Sequence, residues 1–261
     1  MIIELHDVTV RRAGRTILGP IDWHVAAGER WVVLGRNGSG KTTLLSVASM
    51  NLWPTTGTVD LLGERYGRTD ARELRRRVGF AGSAIEDAMR PDLTPEVLIM
   101  TARHGAFEPW WHVYEPADHD RARMLADRLG LSGHLDQAFG TLSAGERRRV
   151  SIARALMPDP DVLILDEPMA SLDLAARELL LADLEGLARE TRPRVVLLVS
   201  HHLEEIPVGF EHALVMANGR AVGAGPIGEV LRDDVLSQAF ELPLDVESRE
   251  GRWTARMRRH G

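Results

Sequence analysis

The residues from Gly35 to Thr42 read GRNGSGKT and match the Walker A form G-x-x-x-x-G-K-[ST]. Glycines let such a loop wrap closely around a phosphate chain, because they adopt backbone angles that residues with a Cβ avoid. Successive N–H groups then point inward, and the start of the following helix adds partial positive charge. We therefore expect Lys41 to reach the β- and γ-phosphates of ATP and the Thr42 hydroxyl to ligate Mg²⁺. The predicted ATP-binding residues of this segment are Gly35, Arg36, Asn37, Gly38, Ser39, Gly40, Lys41, Thr42 and Thr43.

A pair of adjacent carboxylates, Asp166 and Glu167, follows the apolar run Val162–Leu165. Ligands of open α/β sheets bind beyond the carboxyl ends of the strands, which predicts that both acids lie beside the phosphate loop. Asp166 would hold Mg²⁺, directly or through water, and Glu167 would polarise the attacking water. Acidic residues often end a strand without any role in chemistry. The Asp166-Glu167 pair is therefore evidence for a magnesium site only together with the Walker A loop.

The phosphate loop requires a buried strand before it and a helix after it. The stretch Arg30–Leu34, which is apolar from Trp31 onward, predicts the strand, and the apolar residues between Lys41 and Met50 predict the helix. This context favours a phosphate loop over a glycine-rich turn without a chemical role. Further strands are predicted at Ile2–Val10, at Thr16–Val25 after a turn at Ala13-Gly14, and at Thr58–Leu62.

Helical periodicity dominates from about Gly82 to Asp159, and we interpret this stretch as a helical lobe inserted between strands. The runs Val162–Leu165 and Val195–Val199 are apolar without alternation, as expected of strands buried on both faces of a parallel sheet. The other predicted elements are a helix over Leu174–Glu190, one helix after Gly225, and a strand pair at Leu244–Ser248 and Trp253–Met257 that turns at Glu250-Gly251.

Composition narrows the class of protein. The 261 residues have a formal net charge of −6, which argues against a nucleic-acid partner. The chain has no cysteine, so disulfides and thiolate metal sites are excluded. No run approaches the roughly 20 apolar residues of a membrane span, and the first residues lack the apolar core of a signal peptide. We expect a cytoplasmic protein, or one held peripherally on the inner face of the cell membrane by a partner.

Several segments resemble motifs of the ATP-binding cassette (ABC) family. The LSAGE of Leu142–Glu146 is similar to the family's signature motif LSGGQ, and Arg147–Leu156 resembles the helix that follows it. Asp166-Glu167-Pro168 resembles the family's Walker B end, Ser171-Leu172-Asp173 its D-loop, and Ser200-His201-His202 its switch-histidine segment. These segments occur in the family's order and, with the Walker A loop, cover most of residues 1–230.

The resemblance implies a fold. It is an α/β P-loop NTPase core, a mostly parallel sheet with helices on both faces, with N-terminal antiparallel strands and an inserted α-helical subdomain. The implied ABC ATPase domain covers residues 1–230, with the helical subdomain at about 82–159. Residues 231–261 form a small C-terminal extension.

The resemblance also implies a mechanism in which two cassettes, most simply two copies of this chain, sandwich two MgATP molecules. Each ATP lies on the Walker A loop of one subunit and against the signature segment of the other, and hydrolysis opens the pair. The residues implied to contact the partner's ATP, or to link the two sites, are Ser143, Ala144, Gly145, Glu146 and Asp173. The residues implied in catalysis are Glu167, Lys41 and His201. Of these, His201 would hydrogen-bond the γ-phosphate.

Three positions depart from the family's pattern. Arg12 stands where an aromatic residue usually stacks on adenine; a guanidinium plane can stack on a base, and we expect weaker adenine selectivity. Ser83 replaces a glutamine that touches Mg²⁺ and senses the transport partner, and it would act on the metal through water. Ala144 and Glu146 replace a glycine and a glutamine of the signature, changes that we expect to be tolerated.

Two functions of different classes follow. Thr101–His104 and Glu108–Trp111, together with the tail, look like segments of molybdenum or iron uptake ATPases, a subgroup that resembles the ATPases of iron-siderophore importers. The frequency of transporters in the family favours the energy subunit of an importer with a separate transmembrane permease. The alternative is a soluble ABC ATPase with a regulatory or repair role, which Ser83 favours. A chain that holds ATP without hydrolysing it is a third option, and Glu167 argues against it.

Other features have simpler explanations. The run Arg147–Arg149 could contact nucleic acid, but a solvated helix face is our interpretation. His104, His112 and His119 lack a compact metal-ligand spacing. Trp110-Trp111 either forms a docking patch or packs in the lobe.

Overall fold

Alternating apolar and polar residues at the start of the chain form an antiparallel hairpin in the computed structural model, which describes residues 1–258. Strand β1 (Ile3–Arg12) buries Ile3, Leu5 and Val8, and β2 (Arg15–Val25) pairs with it. The turn between them takes positive φ at Ala13 and Gly14, a backbone that matches the twist of the two strands.

The chain continues through further strands and helices. The other strands are β3 (Arg30–Leu34), β4 (Thr56–Leu61), β5 (Glu64–Arg65), β6 (Val78–Gly82), β7 (Val162–Asp166), β8 (Val195–Ser200), β9 (His212–Ala217), β10 (Arg220–Pro226), β11 (Leu244–Arg249) and β12 (Arg252–Met257). The helices are α1 (Lys41–Ala48), α2 (Ala71–Arg75), α3 (Ser83–Asp87), α4 (Pro95–Thr101), α5 (Pro116–Arg128), α6 (Ala144–Leu156), α7 (Leu174–Ala188), α8 (Ile227–Val230) and α9 (Asp233–Phe240).

The chain divides into two compact units. Unit 1 joins Met1–Arg75 to the chain from Arg194 onward, and unit 2 is Arg76–Pro193. Unit 1 contains an antiparallel sheet in the order β2-β1-β4-β5. It also contains the neighbours β9, β3 and β8, which run parallel, with β10 antiparallel to β9. Every residue of β3 and β8 is buried, which explains why Trp31–Leu34 and Val195–Val199 are apolar without alternation.

In unit 2, β6 and β7 pair in parallel, with Gly82 opposite Asp166. All of the chain between these two strands is described, and it contains helices and turns but no strand. Helices α4, α5 and α6 bury an apolar core that includes Leu98, Leu125 and Val150. The prediction that helices dominate the chain between β6 and β7 is therefore confirmed.

Most predicted elements are present with ends shifted by one or two residues. The helix predicted to reach Met50 ends at Ala48, because Met50 has a φ of 56°. The carboxyl-terminal tail has helices α8 and α9 where one helix was expected, and that expectation was wrong. The hairpin of β9 and β10 was not predicted, although the Asn218-Gly219 turn between them is a recognisable signal.

Within residues 1–258, no helix has both the length and the apolar character that crossing a bilayer requires. The division into a 1–230 domain, a subdomain at about 82–159 and a 231–261 extension stays a prediction.

Candidate functional site

In unit 1, the loop from Gly35 to Gly40 joins the buried strand β3 to helix α1. Gly35 has a φ of 152°, and a Cβ there would lie 2.4 Å from the carbonyl oxygen of Met216 and 2.6 Å from Ser39 Oγ. No larger residue fits that gap without moving the backbone, so Gly35 lets the loop start directly against β9. Gly40, with a φ of 102°, is the residue that precedes the helix and turns the backbone into it.

The Lys41 side chain folds back into this loop. Its Nζ donates hydrogen bonds to the carbonyl oxygens of Gly35 (2.7 Å) and Arg36 (3.2 Å), and only 6% of the residue is exposed. The loop therefore holds an ammonium group beside the N-terminal N–H groups of α1, and both attract an anion. Thr42 is exposed and Thr43 half-buried on the first turn of the helix.

Arg36 and Asn37 are exposed on the outer part of the loop, while Ser39 is buried. Ser39 Oγ has no hydrogen-bond partner among the described residues. The Ser39 carbonyl oxygen accepts a hydrogen bond from Gly219 N–H (3.0 Å), which ties the loop to the β9–β10 turn.

A cavity of about 310 Å³ lies in unit 1 next to that turn. The sequence did not predict any of its lining residues as part of a site. The Asn218-Gly219 turn was the sequence signal that could have indicated this cavity. The lining residues are Thr9, Thr16, Leu18, Gly19, Pro20, Asn218, Gly219 and Arg220.

His201 follows β8 at the same edge of the parallel strands where the phosphate loop follows β3. Leu34 and Ser200 are partners in the register of these strands, so Gly35 and His201 leave from neighbouring ends. Ser200 Oγ donates to the buried Glu205 and accepts from His202 N–H (2.9 Å), which fixes the turn that holds His201. The structure thus places His201 and the phosphate loop at neighbouring strand ends, and the contact of His201 with the γ-phosphate stays a prediction.

Arg12 lies at the exposed end of β1, opposite Arg15 of β2. It does not line the cavity beside the loop. Its stacking on a base and the expected loss of adenine selectivity stay predictions.

In unit 2, Asp166 ends β7 and Glu167 follows it, both half-buried. Glu167 has a φ of 48°, a left-handed backbone that is uncommon outside glycine and that often marks functional sites. Ser83 follows Gly82, the register partner of Asp166, and a Cβ on Gly82 would lie 3.1 Å from Asp166 Cβ. Ser83 and the two acids therefore leave neighbouring strand ends.

The signature segment in unit 2 starts helix α6 with a reciprocal cap. Ser143 Oγ accepts a hydrogen bond from Glu146 N–H (3.3 Å), and Glu146 accepts one from Ser143 N–H (2.7 Å). That bond lowers the pKa of the Glu146 carboxyl below its usual value, assisted by His134, whose Nε2 lies 3.3 Å away. Ser143 and Ala144 are exposed, so this helix start faces solvent in the single chain.

The same surface includes the start of helix α7. Asp173 caps that helix by accepting a hydrogen bond from Ala176 N–H (2.8 Å). A Cβ on Gly145 would lie 3.2 Å from Ala176 Cβ, so glycine allows the starts of α6 and α7 to approach closely. The predicted partner-facing residues Ser143, Gly145 and Asp173 are thus gathered on one part of unit 2.

The interpretation of Arg147–Arg149 as a solvated face is wrong. Arg148 is buried and its Nε lies 3.0 Å from Glu86, whose carboxyl pKa is raised by burial. Arg149 lies 3.0 Å from Asp183 of α7. These arginines connect elements of unit 2 and are unsuited to a nucleic-acid contact.

Two tryptophans lie on the surface of unit 2: Trp110 is 59% exposed and Trp111 is 80% exposed. Core packing is therefore excluded for this pair. Their rings stack with centroids 5.6 Å apart, and Trp110 Nε1 donates to Glu108 (2.9 Å).

Comparisons with known proteins show the family to which the chain is similar. A family model described as ABC transporter matches residues 18–170. The uncharacterised ABC transporter ATP-binding protein YlmA of Bacillus subtilis is 39% identical over 249 residues, which are 94% of this chain and 93% of the relative. The hemin import ATP-binding protein HmuV of Nocardia farcinica is 35% identical over 258 residues, covering 92% of this chain and 82% of the relative.

A solved structure shares the fold. The ATP-binding cassette MJ0796, a dimer in a post-hydrolysis state bound to ADP and Pi, matches with a TM-score of 0.74 at 23% identity, covering 87% of this chain and 99% of that one. The predicted α/β class, with a parallel sheet and added antiparallel strands, is confirmed. The roles of individual residues stay predictions.

Proposed function

The chain belongs to the ABC transporter family, and on that premise we propose that it powers an importer as a pair of copies enclosing two MgATP molecules. Family membership makes it an ATP-binding subunit of a transporter that hydrolyses ATP to ADP and phosphate. The direction of transport, the partners and the role of each residue go further and form the proposal.

We assign the triphosphate to the loop of unit 1. Lys41 would move from the carbonyl oxygens of Gly35 and Arg36, which now hold its Nζ, to the β- and γ-phosphates. The residues from Gly35 to Thr43 would enclose the phosphates with backbone N–H groups, and His201 would donate a hydrogen bond to the γ-phosphate. The paired ends of β3 and β8 support this assignment, because they hold both groups on a rigid edge.

We assign the activation of water to Glu167 in unit 2. Its carboxylate would accept a proton from the water, or orient it, while the γ-phosphate is transferred. The left-handed backbone at Glu167 supports this role, because such strain is retained where a side chain must be held in an unusual direction.

The oxygen donors of Thr42 and Asp166 fit Mg²⁺, which prefers hard oxygen ligands. Thr42 exposes a hydroxyl on the first turn of α1, and Asp166 places a carboxylate at the end of β7. Ser83 would reach the ion through a water molecule, since its side chain is shorter than the family's glutamine. When bound, Mg²⁺ neutralises charge that develops on the phosphates.

The observation that supports pairing is the exposed start of α6. Ser143 and Ala144 face solvent, and the helix start offers N–H groups and partial positive charge to an anion. We assign this surface, with Gly145, Glu146 and the nearby Asp173, to the ATP held by the second copy. The solved cassette MJ0796 is a dimer bound to ADP and Pi, which supports pairing of two cassettes.

The test is Glu167→Gln, which keeps the size of the side chain and removes its charge. We expect it to abolish phosphate release and to produce a stable dimer with ATP, seen by size-exclusion chromatography with light scattering. Glu64→Gln, a matched change at an exposed residue of β5, should leave turnover and the monomer–dimer balance unchanged. Normal turnover in Glu167→Gln would contradict the assigned role.

The permease and the direction of transport need a separate test. The similarity to a hemin import ATP-binding protein supports import and makes hemin the first solute to examine. The chain and a permease encoded beside it would be placed in proteoliposomes with the ATPase outside. Import predicts ATP-dependent movement of solute from the lumen towards the ATPase, and export predicts the reverse. An ATPase that no permease stimulates or binds would support the alternative, a soluble ABC ATPase in regulation or repair.

A further inference from the structure

Two strands of unit 1 present matching acid-x-histidine patterns on one sheet face. On β1 the residues are Glu4 and His6, and on β2 they are Asp22 and His24. Residues two apart on a strand share a face. Glu4 and His24 are direct partners across the strands, so each strand brings a histidine towards the acid of the other.

This arrangement places three potential metal ligands together. One ligand atom each from Glu4, His6 and His24 lie within 4.8 Å of one another. The two imidazole rings meet edge to face with centroids 4.8 Å apart. Glu4 is half-buried and both histidines are exposed, so an ion could enter from solvent. Three donors at this separation can converge on one ion after small side-chain rotations, because ligand distances for Zn²⁺ are about 2.0–2.2 Å.

Asp22 adds a second carboxylate next to the three ligands. Its Oδ1 lies 3.8 Å from His6 Nδ1 and accepts a hydrogen bond from Asp7 N–H (2.9 Å). Asp7 has a φ of 48° in an irregular part of the β1–β2 register, where the local kink redirects the adjacent side chains. The backbone therefore holds Asp22 near His6, and a small side-chain rotation would bring its carboxylate within hydrogen-bond distance of the ring, where carboxylates orient metal-binding histidines.

The surrounding charge favours a cation. Arg65 is influenced electrostatically by Glu4, but it is bound by Asp60 through two hydrogen bonds, of 3.0 and 2.8 Å. With Arg65 neutralised by Asp60, Glu4 and Asp22 leave a negative local charge beside two imidazoles. Two imidazoles and a carboxylate suit a borderline ion such as Zn²⁺ better than Mg²⁺ or Ca²⁺, which prefer oxygen ligands alone.

We propose that Glu4, His6 and His24 form a Zn²⁺-binding site that connects β1 to β2, with Asp22 as the carboxylate that orients His6. Three protein ligands leave a coordination position for water, and the strands provide a rigid scaffold. The site belongs to the outer face of the antiparallel sheet. It shares no residue with the phosphate loop or with the signature segment, and it does not depend on the proposed function.

Zinc binding can be measured directly on the full-length chain after any histidine tag has been removed. Isothermal titration with ZnCl₂, without nucleotide and with Mg²⁺ in excess to occupy other divalent sites, should show one Zn²⁺ per chain. The variants His6→Ala and His24→Ala should lose this binding. The variant Asp22→Asn should weaken it by about tenfold, the lower end of the usual effect of such an outer carboxylate.

The matched control is His104→Ala, which removes an exposed histidine from unit 2 and should bind Zn²⁺ as the unchanged chain does. The His6 and His24 variants should retain MgATP hydrolysis, because neither residue belongs to the nucleotide site. Substitution with Co²⁺ gives a test that needs no variant, since a tetrahedral site with two imidazoles produces a strong visible absorption.

Absence of stoichiometric Zn²⁺ binding by the unchanged chain would overturn the proposal. So would binding that survives the His6→Ala/His24→Ala double variant, or that His104→Ala removes. If the histidine variants fail to fold, the Co²⁺ spectrum of the unchanged chain decides: tetrahedral absorption that Zn²⁺ displaces supports the site, and its absence rejects it.

Discussion

Arg36 of the phosphate loop forms an ion pair with Glu241, the residue that follows helix α9. Both side chains are more than half exposed, so water and salt screen the pair. Within unit 1, the carboxyl-terminal segment therefore places a negative charge against the loop that we assign to a triphosphate.

Removing that charge should strengthen nucleotide binding. In Glu241→Gln, Arg36 is released towards the phosphates and a repelling carboxylate is lost, so we expect ATP to bind about two- to fivefold more tightly at low salt, the range of exposed ion pairs. Binding of a fluorescent ATP analogue at low and high salt checks this, and the gain should fade at high salt.

Glu229→Gln is the control for this change, because Glu229 is an exposed acid of the same tail. Equal effects of the two variants would show that net charge alone matters, and no effect of Glu241→Gln would show that the pair does not influence the loop.

The glycines of the loop should differ in their tolerance of a methyl group. Gly35→Ala places a Cβ against the Met216 carbonyl oxygen, so we expect loss of ATP binding and a lower melting temperature. Gly38→Ala meets no atom within 4 Å but keeps a φ of 79°, so it should cost about 1–2 kcal/mol of backbone strain. Thermal melts and nucleotide binding compare the two, and equal damage would contradict the assigned close approach.

The close approach of α6 and α7 predicts an energetic coupling. Gly145→Ala should crowd Ala176, and Ala176→Gly should relieve that crowding. We expect a favourable coupling of about 0.5–1 kcal/mol between the two substitutions in a double-mutant cycle of unfolding free energies. If the effects of the two substitutions on the unfolding free energy simply add, the starts of α6 and α7 are not tightly packed against each other.

The shifted pKa of Glu146 predicts that the stability of the folded chain depends on pH. Its carboxyl pKa is lowered in the folded chain, mainly by the hydrogen bond from Ser143 N–H, relative to an ordinary value of 4.5. The charged form therefore adds stability that is complete above about pH 4.5 and is lost as the pH falls through the lowered folded value.

In Glu146→Gln the amide can still accept the Ser143 N–H bond, but it does not titrate. Melting temperatures measured from neutral to acid pH should therefore decline less steeply than those of the unchanged chain. The exposed Glu229→Gln variant should keep the original slope. An unchanged slope in Glu146→Gln would mean that the cap does not respond to pH.

Local patterns predicted the parts of the fold that depend on local physics. The apolar runs of β3 and β8 are buried on both faces, so periodicity alone identifies them. The phosphate loop follows from its glycine spacing, and Gly35 and Gly40 take the positive φ that such spacing implies.

Features that need long-range contacts were outside the reach of such patterns. Arg148 reads as a surface residue within a run of arginines, yet its partner Glu86 comes from a distant helix and makes burial possible. The Glu4, His6 and His24 cluster needs the register of β1 against β2, and the irregularity at Asp7 that shifts it cannot be read from alternation.

Unit 1 is built from two stretches of chain that the whole of unit 2 separates. The phosphate loop therefore emerges from the ribosome long before β8, the strand whose end holds His201 beside it. Unit 2 is continuous and is synthesised in that interval, so we expect it to form its own contacts before β8 is made, since domains fold as units while synthesis proceeds. A nascent or truncated chain that stops before Val195 has every residue of the phosphate loop but lacks His201, so the role that we propose for His201 predicts no ATP turnover until translation is nearly finished.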